Sequence, residues 1–179
     1  MSLKQPLALT LLAGVVDAAV FVGLGEVFVA NQTGNCVLLA VGLAHWLATG
    51  NPAGAVTGPL VSLLAFCLGG LAAGLFSRAP EKSRLLAEAV LLLAAAVLPG
   101  PRLAQIALAA VAMGIQSVHA IRLGVPGVTT TVVTGTLASL FSRVTDEPRR
   151  REGTGLLGLV WLLYVVGAVV GAFVTYKLK

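Results

Sequence analysis

The sequence has little charge: Lys, Arg, Asp and Glu make up 11% of its 179 residues, where an ordinary soluble domain carries about a quarter. Hydrophobic residues make up 58%, and the mean hydropathy is +0.97. A chain this short and this apolar cannot cover its own surface with polar groups, which excludes water as its solvent and implies a lipid bilayer. Cysteine is scarce too. Cys36 and Cys67 stand inside apolar runs, without metal-ligand spacing and without acidic or His neighbours. They read as small packing groups rather than redox or metal residues. Aromatic residues are too few for a cofactor box, and Trp46, Trp161, Tyr164 and Tyr176 suit an interfacial belt. No Ser-His-Asp signature, metal-binding His cluster, phosphate loop or haem-spaced Cys pair occurs. The expectation is a non-enzyme with neither cofactor nor metal.

The charge that is present is basic, with a net value of +5. It sits in short breaks between apolar runs: Arg78, Lys82 and Arg84; Arg143, Arg149, Arg150 and Arg151; Lys177 and Lys179. That placement suits headgroup anchoring and topology control. A nucleic-acid site would need a contiguous basic face with interleaved aromatics, so nucleic acid is excluded as a partner. The start of the chain, with Lys4 ahead of an apolar run, looks superficially like a signal peptide. The run continues to Ala30 past an acidic residue, so it reads as the first membrane helix.

A spanning helix needs about 20 apolar residues. Leu7–Leu24, Val56–Phe76, Leu103–Leu123 and Leu156–Tyr176 fit. Cys36–Ala48, Leu85–Leu98 and a helix ending at Phe141 are shorter. Between them lie Gly50-Asn51-Pro52, the charged break Arg78–Arg84, Pro99-Gly100-Pro101 and the polar loop Ser142–Gly153. The fold class expected is an all-α membrane protein: a polytopic helical bundle of about six or seven transmembrane elements in one domain.

Internal similarity adds to this. A helix with Gly14 runs to Leu24-Gly25, a β-branched stretch reaches Thr33-Gly34-Asn35, and a short helix follows. A helix with Gly114 runs to Leu123-Gly124, a β-branched stretch reaches Thr134-Gly135-Thr136, and a short helix follows. Each half closes on a span with paired glycines, Gly70 and Gly74 in one, Gly167 and Gly171 in the other. Two three-element repeats with interrupted helices are expected, over about 7–77 and 103–177, joined by a linker helix at 85–98. If every element crosses, the repeats are parallel; if one re-enters on its own side, they are inverted. In a seven-crossing arrangement Lys and Arg divide equally between the two faces, so charge leaves the orientation open.

Non-helical backbone at membrane depth survives only when buried in protein or lining a wet cavity. Asn31, Gln32, Thr33, Gly34 and Asn35, and then Thr130, Thr131, Thr134, Gly135 and Thr136, lie in or beside such stretches. Thr33 and Thr134 are expected as N-caps. Paired interruptions at corresponding places in two repeats point to a transporter's central site, with free amides suited to a small polar or anionic solute. Asp17, mid-span, must face the interior and is a candidate for substrate binding and proton coupling. Gln116, His119 and Arg122 recur at three-residue spacing, so Gln116 joins the candidate binding set and His119 the proton-coupling set. Glu26, His45, Glu88 and Gln105 are expected near the interfaces.

Ala13-Gly14-Val15-Val16-Asp17-Ala18 followed by Phe28-Val29-Ala30-Asn31-Gln32-Thr33-Gly34-Asn35 resembles the opening of the YoaK-like bacterial integral membrane proteins, a family of unknown function. Gly114-Ile115-Gln116-Ser117 and Pro126–Leu137 are similar to its second half, except that Ser117 stands where the family pattern has Asn. The resemblance spans nearly the whole chain and implies a bacterial inner-membrane, multi-pass location, without a substrate. The functional expectation is a secondary transporter of a small polar or anionic solute, coupled to protons. A channel and a non-transporting scaffold for partner membrane proteins are the alternatives, and a homodimer is compatible with so small a bundle.

Overall fold

A computed structural model describes residues 3–51, 56–78, 80–97, 99–124, 133–144 and 153–179. These form seven α-helices and no strand: α1 (Lys4–Leu24), α2 (Gln32–Thr49), α3 (Thr57–Leu75), α4 (Glu81–Val97), α5 (Arg102–Arg122), α6 (Val133–Val144) and α7 (Thr154–Leu178). Four of them, α1, α3, α5 and α7, are long and apolar enough to cross a membrane. Charged residues expected in a break, Glu81 to Arg84, instead form the first turn of α4. Helix ends follow local chemistry. Gly25 adopts the left-handed region at φ 94°, and the Glu26 N–H closes back on the Phe21 carbonyl at 2.8 Å, ending α1. Pro101 precedes α5, where a missing N–H costs nothing.

Small residues decide which helices touch. α1 packs along α7, and α3 along α5. A Cβ added at Gly14 would overlap the carbonyl of Tyr164; one at Gly167 would overlap that of Leu11; one at Gly171 that of Val15. In the second pair, a Cβ at Gly114 would overlap the carbonyl of Phe66, and one at Gly69 that of Val111. Such backbone-to-backbone approach is the usual use of small residues between helices in lipid. Gly70 lies in this seam, but Gly74 has nothing within 4 Å. Contrary to expectation, the contact on α3 is therefore made by Gly69 and Gly70, because Gly74 sits on another face.

These contacts also set direction. Leu11 and Val15 meet Gly167 and Gly171 in the same order, so α1 and α7 run parallel. Gly58 lies near Ile106 and Gly69 on Val111, so α3 and α5 run parallel. α1 and α5 are antiparallel: Gln116 donates to the Leu9 carbonyl at 2.7 Å, and His119 faces Gln5 at 2.9 Å. The near end of the bundle holds the starts of α1, α4 and α7 and the ends of α3 and α5. At the far end, Arg102 and Lys179 donate to the terminal carbonyls of α1, Gly25 O at 3.3 Å and Val22 O at 2.6 Å. Positive charge there matches the negative end of the helix dipole.

Residues 25–31 turn back from the far end to the depth of Asp17. α2 starts at that depth and returns outward, so Gly42 shares a cavity of about 250 Å³ with Gly25, Gly58 and Arg102. The core is built of small and medium side chains from α1, α3, α5 and the 27–30 segment, among them Ala13, Val29, Ala65, Ile106 and Met113. Large apolar residues on the outside, such as Leu64, Leu68, Val169 and Phe173, remain exposed, as a lipid-facing surface requires.

Candidate functional site

The first polar cluster surrounds Asp17, which is 2% exposed. Its Oδ1 accepts the N–H groups of Val29 and Ala30 at 2.8 and 2.7 Å; its Oδ2 accepts that of Asn31 at 3.0 Å and the Tyr164 hydroxyl at 2.7 Å. Three successive amides turned on one carboxylate form an anion nest. Here the anion is supplied from α1, and it supports the chain just ahead of α2. Asn31 is the N-cap of α2 and makes no side-chain cap bond. The cap expected at Thr33 is not made, since the helix has already begun at Gln32 and Thr33 is exposed. α6 likewise begins at Val133, which puts Thr134 in its first turn.

Asn35 completes the cluster. Its side chain takes the Phe28 N–H at 3.0 Å and donates to the Phe28 carbonyl at 2.6 Å, to Gln32 Oε1 at 2.7 Å and to Ser62 Oγ at 3.1 Å. Gln32 donates to the Val29 carbonyl at 2.8 Å and to Ser62 Oγ at 3.2 Å, and the Ser62 hydroxyl donates to the Phe28 carbonyl at 2.7 Å. Non-helical backbone is thereby satisfied inside the protein. Gly34 lies against the Phe28 ring, where a Cβ would come within 2.7 Å of Cδ2. Sequence reasoning missed Ser62 and Tyr164: a serine in an apolar span and a tyrosine read as a belt residue carry no local signal of a partner 34 or 147 positions away.

The second cluster lies where α1, α4 and α5 meet. Gln116 and His119 are 0% and 2% exposed. Gln116 uses its amide N–H on Leu9, while its Oε1 has no partner. His119 Nε2 faces Gln5 Nε2, which also donates to Glu81 Oε1 at 2.6 Å. An amide nitrogen only donates, so Nε2 accepts and the neutral ring carries its proton on Nδ1; Nδ1 is buried without a partner. Glu88, expected at an interface, is 3% exposed, with Oε1 unpartnered. It is the buried residue among those of α4, because the face that carries Glu88 with Leu91, Leu92 and Ala95 turns inward onto the core. Gln105 is half-buried, while Glu26 and His45 are exposed.

Of the remaining candidates, Thr134 and Gly135 are exposed and Thr136 is fully buried on α6. Thr130 and Thr131 lie outside the described residues. Asp17, Asn31, Gln32 and Asn35 come together in the first cluster. Gln116 and His119 stand apart from them in the second. Among the described residues, no group of three or more His, Cys, Asp or Glu is arranged to hold a metal.

Comparison with known proteins agrees with the membrane character. Residues 5–179 match the model of the family described as Protein of unknown function (DUF1275). The chain belongs to this family. It is 33% identical over 184 residues to the UPF0700 transmembrane protein YoaK of Bacillus subtilis (strain 168), covering 92% of this chain and 80% of that protein. No solved structure matches. A DUF1275 membrane protein with apolar helices of spanning length thus carries two buried polar clusters, one closed on itself and one with open valences.

Proposed function

We propose that this DUF1275 protein is a bacterial inner-membrane secondary transporter built from two inverted halves, moving a small anionic solute. The observation that carries this is the matched pair of seams. α1 joins α7 through Gly14 and α5 joins α3 through Gly114, each meeting a carbonyl of its partner. α1 and α5 run oppositely. With α2 returning to the face from which residues 25–31 entered, the first half crosses twice and the second starts upside down. Inverted repeats with discontinuous helices at their interface are a recurring transporter design.

The reading also orients the chain. Among the described residues, Lys4, Arg78, Lys82, Arg84, Arg122 and Arg143 gather at the near end, against Arg102, Lys177 and Lys179 at the far end. The near end is then cytoplasmic.

The substrate class follows from the first cluster. In half one, Asp17 fills the amides ahead of α2. Ser117 lies three residues after Gly114, as Asp17 lies three after Gly14. At the corresponding position α5 thus carries a hydroxyl in place of a carboxylate. A solute carboxylate or phosphate group would serve the start of α6, beside Thr134, Gly135 and Thr136, as Asp17 serves α2. The test is uptake of a panel of small carboxylates and inorganic anions into proteoliposomes. Ser117→Asp, which supplies the anion internally, is expected to abolish uptake while leaving the folded yield intact. Uptake unaffected by Ser117→Asp would remove the anion assignment. Flux that never saturates and cannot be driven uphill would make the protein a channel.

A further inference from the structure

The unpartnered buried side-chain atoms among the described residues are Arg84 Nε, Glu88 Oε1, Gln116 Oε1 and His119 Nδ1. All four lie on α4 and α5, helices that pack against each other. They are chemically complementary. Arg84 Nε–H and His119 Nδ1–H are donors; Glu88 Oε1 and Gln116 Oε1 are acceptors. Buried orphans of this kind call for an explanation, commonly an exchangeable proton or water.

A short hydrogen-bonded string ends on one of them, His119. Glu81 is exposed, Gln5 half-buried and His119 buried, and Gln5 joins the other two through one nitrogen at 2.6 and 2.9 Å. From Glu81, two helical turns along α4 reach Glu88. From His119, one turn along antiparallel α5 in the same direction reaches Gln116. The charged groups around this junction are Glu81, Lys82 and Arg84 on α4, Arg122 on α5 and Lys4 on α1; α3, on the other side of α5, contributes no charged side chain within Thr57–Leu75.

We propose that Glu88 is a proton-binding carboxyl on the packed faces of α4 and α5 that also carry Arg84, Gln116 and His119. The Glu88 carboxylate takes up a proton from water to become the neutral acid. At 3% exposure the charged carboxylate is poorly solvated, which favours the neutral acid. What the proton drives rests on the transporter reading above; its binding to Glu88 does not.

The experiment is infrared spectroscopy of the purified protein in lipid, following the carbonyl stretch of a protonated carboxyl as pH is varied and as solvent is changed to D₂O. The expected result is one such band that titrates, is lost in Glu88→Gln and is shifted in Glu88→Asp, the second variant serving if the first does not fold. Absence of the band in the wild type, or its survival unchanged in Glu88→Gln and Glu88→Asp, would overturn the site. Loss of the band in Glu88→Gln alongside failed anion uptake by the wild type would leave the proton site standing and the transport reading refuted.

Discussion

Asp17 illustrates how one side chain acquires its meaning from partners that are distant in sequence. Its four hydrogen bonds hold residues 29–31 and Tyr164 in place. Asp17→Ala strands two buried amides, a partly buried amide and a partly buried hydroxyl, and a buried group left unmade costs about 1–3 kcal/mol. A loss of at least about 3 kcal/mol is expected, read as a fall in the melting temperature of the detergent-purified protein. Tyr164→Phe removes a single bond to a charged acceptor and is expected to cost about 1.5–3 kcal/mol. Asp17→Asn should fall between them, since one oxygen still accepts two amides while its NH₂ opposes the Asn31 N–H. If Asp17→Ala melts like the wild type, the carboxylate is not what supports the segment before α2.

Among elements, the paired seams are the test of construction. Glycines at contact should tolerate no side chain. Gly14→Val, Gly167→Val and Gly114→Val each drive a side chain into a partner backbone that cannot yield, and overpacking commonly costs about 1–3 kcal/mol or more. Loss of the monodisperse peak in fluorescence-detected size exclusion is the expected readout. Gly74→Val and Gly135→Val, with nothing within 4 Å of the added Cβ, should retain it. Equal tolerance at all five positions would contradict the close crossings. The sequence carried the motif but misjudged the register on α3, because glycine spacing alone does not say which face meets a neighbour.

At the scale of the whole molecule, the prediction concerns sidedness. With Cys36 and Cys67 replaced, single cysteines at Asn51, Gly100 and Lys179 should be labelled by an impermeant maleimide from one side of the membrane. Cysteines at Lys4 and Arg78 should be labelled only from the other. The two termini are thus expected on opposite faces. In a seven-crossing chain Asn51 and Lys179 would also lie on opposite faces, so labelling them from different sides would refute the re-entrant path of α2 and, with it, the inverted halves.

Composition and hydropathy alone determined that this is an apolar helical membrane protein, because the cost of exposing so much hydrocarbon to water leaves no other solvent. They also located the seven helices to within a few residues, since Gly and Pro interrupt apolar runs where the chain leaves the helix, whereas the charged Glu81 to Arg84 proved helical. Asp17 stood out because an acid in a span is costly enough to need a partner. Which partner it has, which of Gly69, Gly70 and Gly74 meets α5, that Glu88 turns inward rather than toward an interface, and that Gly42 of α2 lies beside Gly25 and Arg102 were decided only by tertiary packing. Each depends on a neighbour brought in from another helix, and a single chain's local pattern holds no trace of that neighbour.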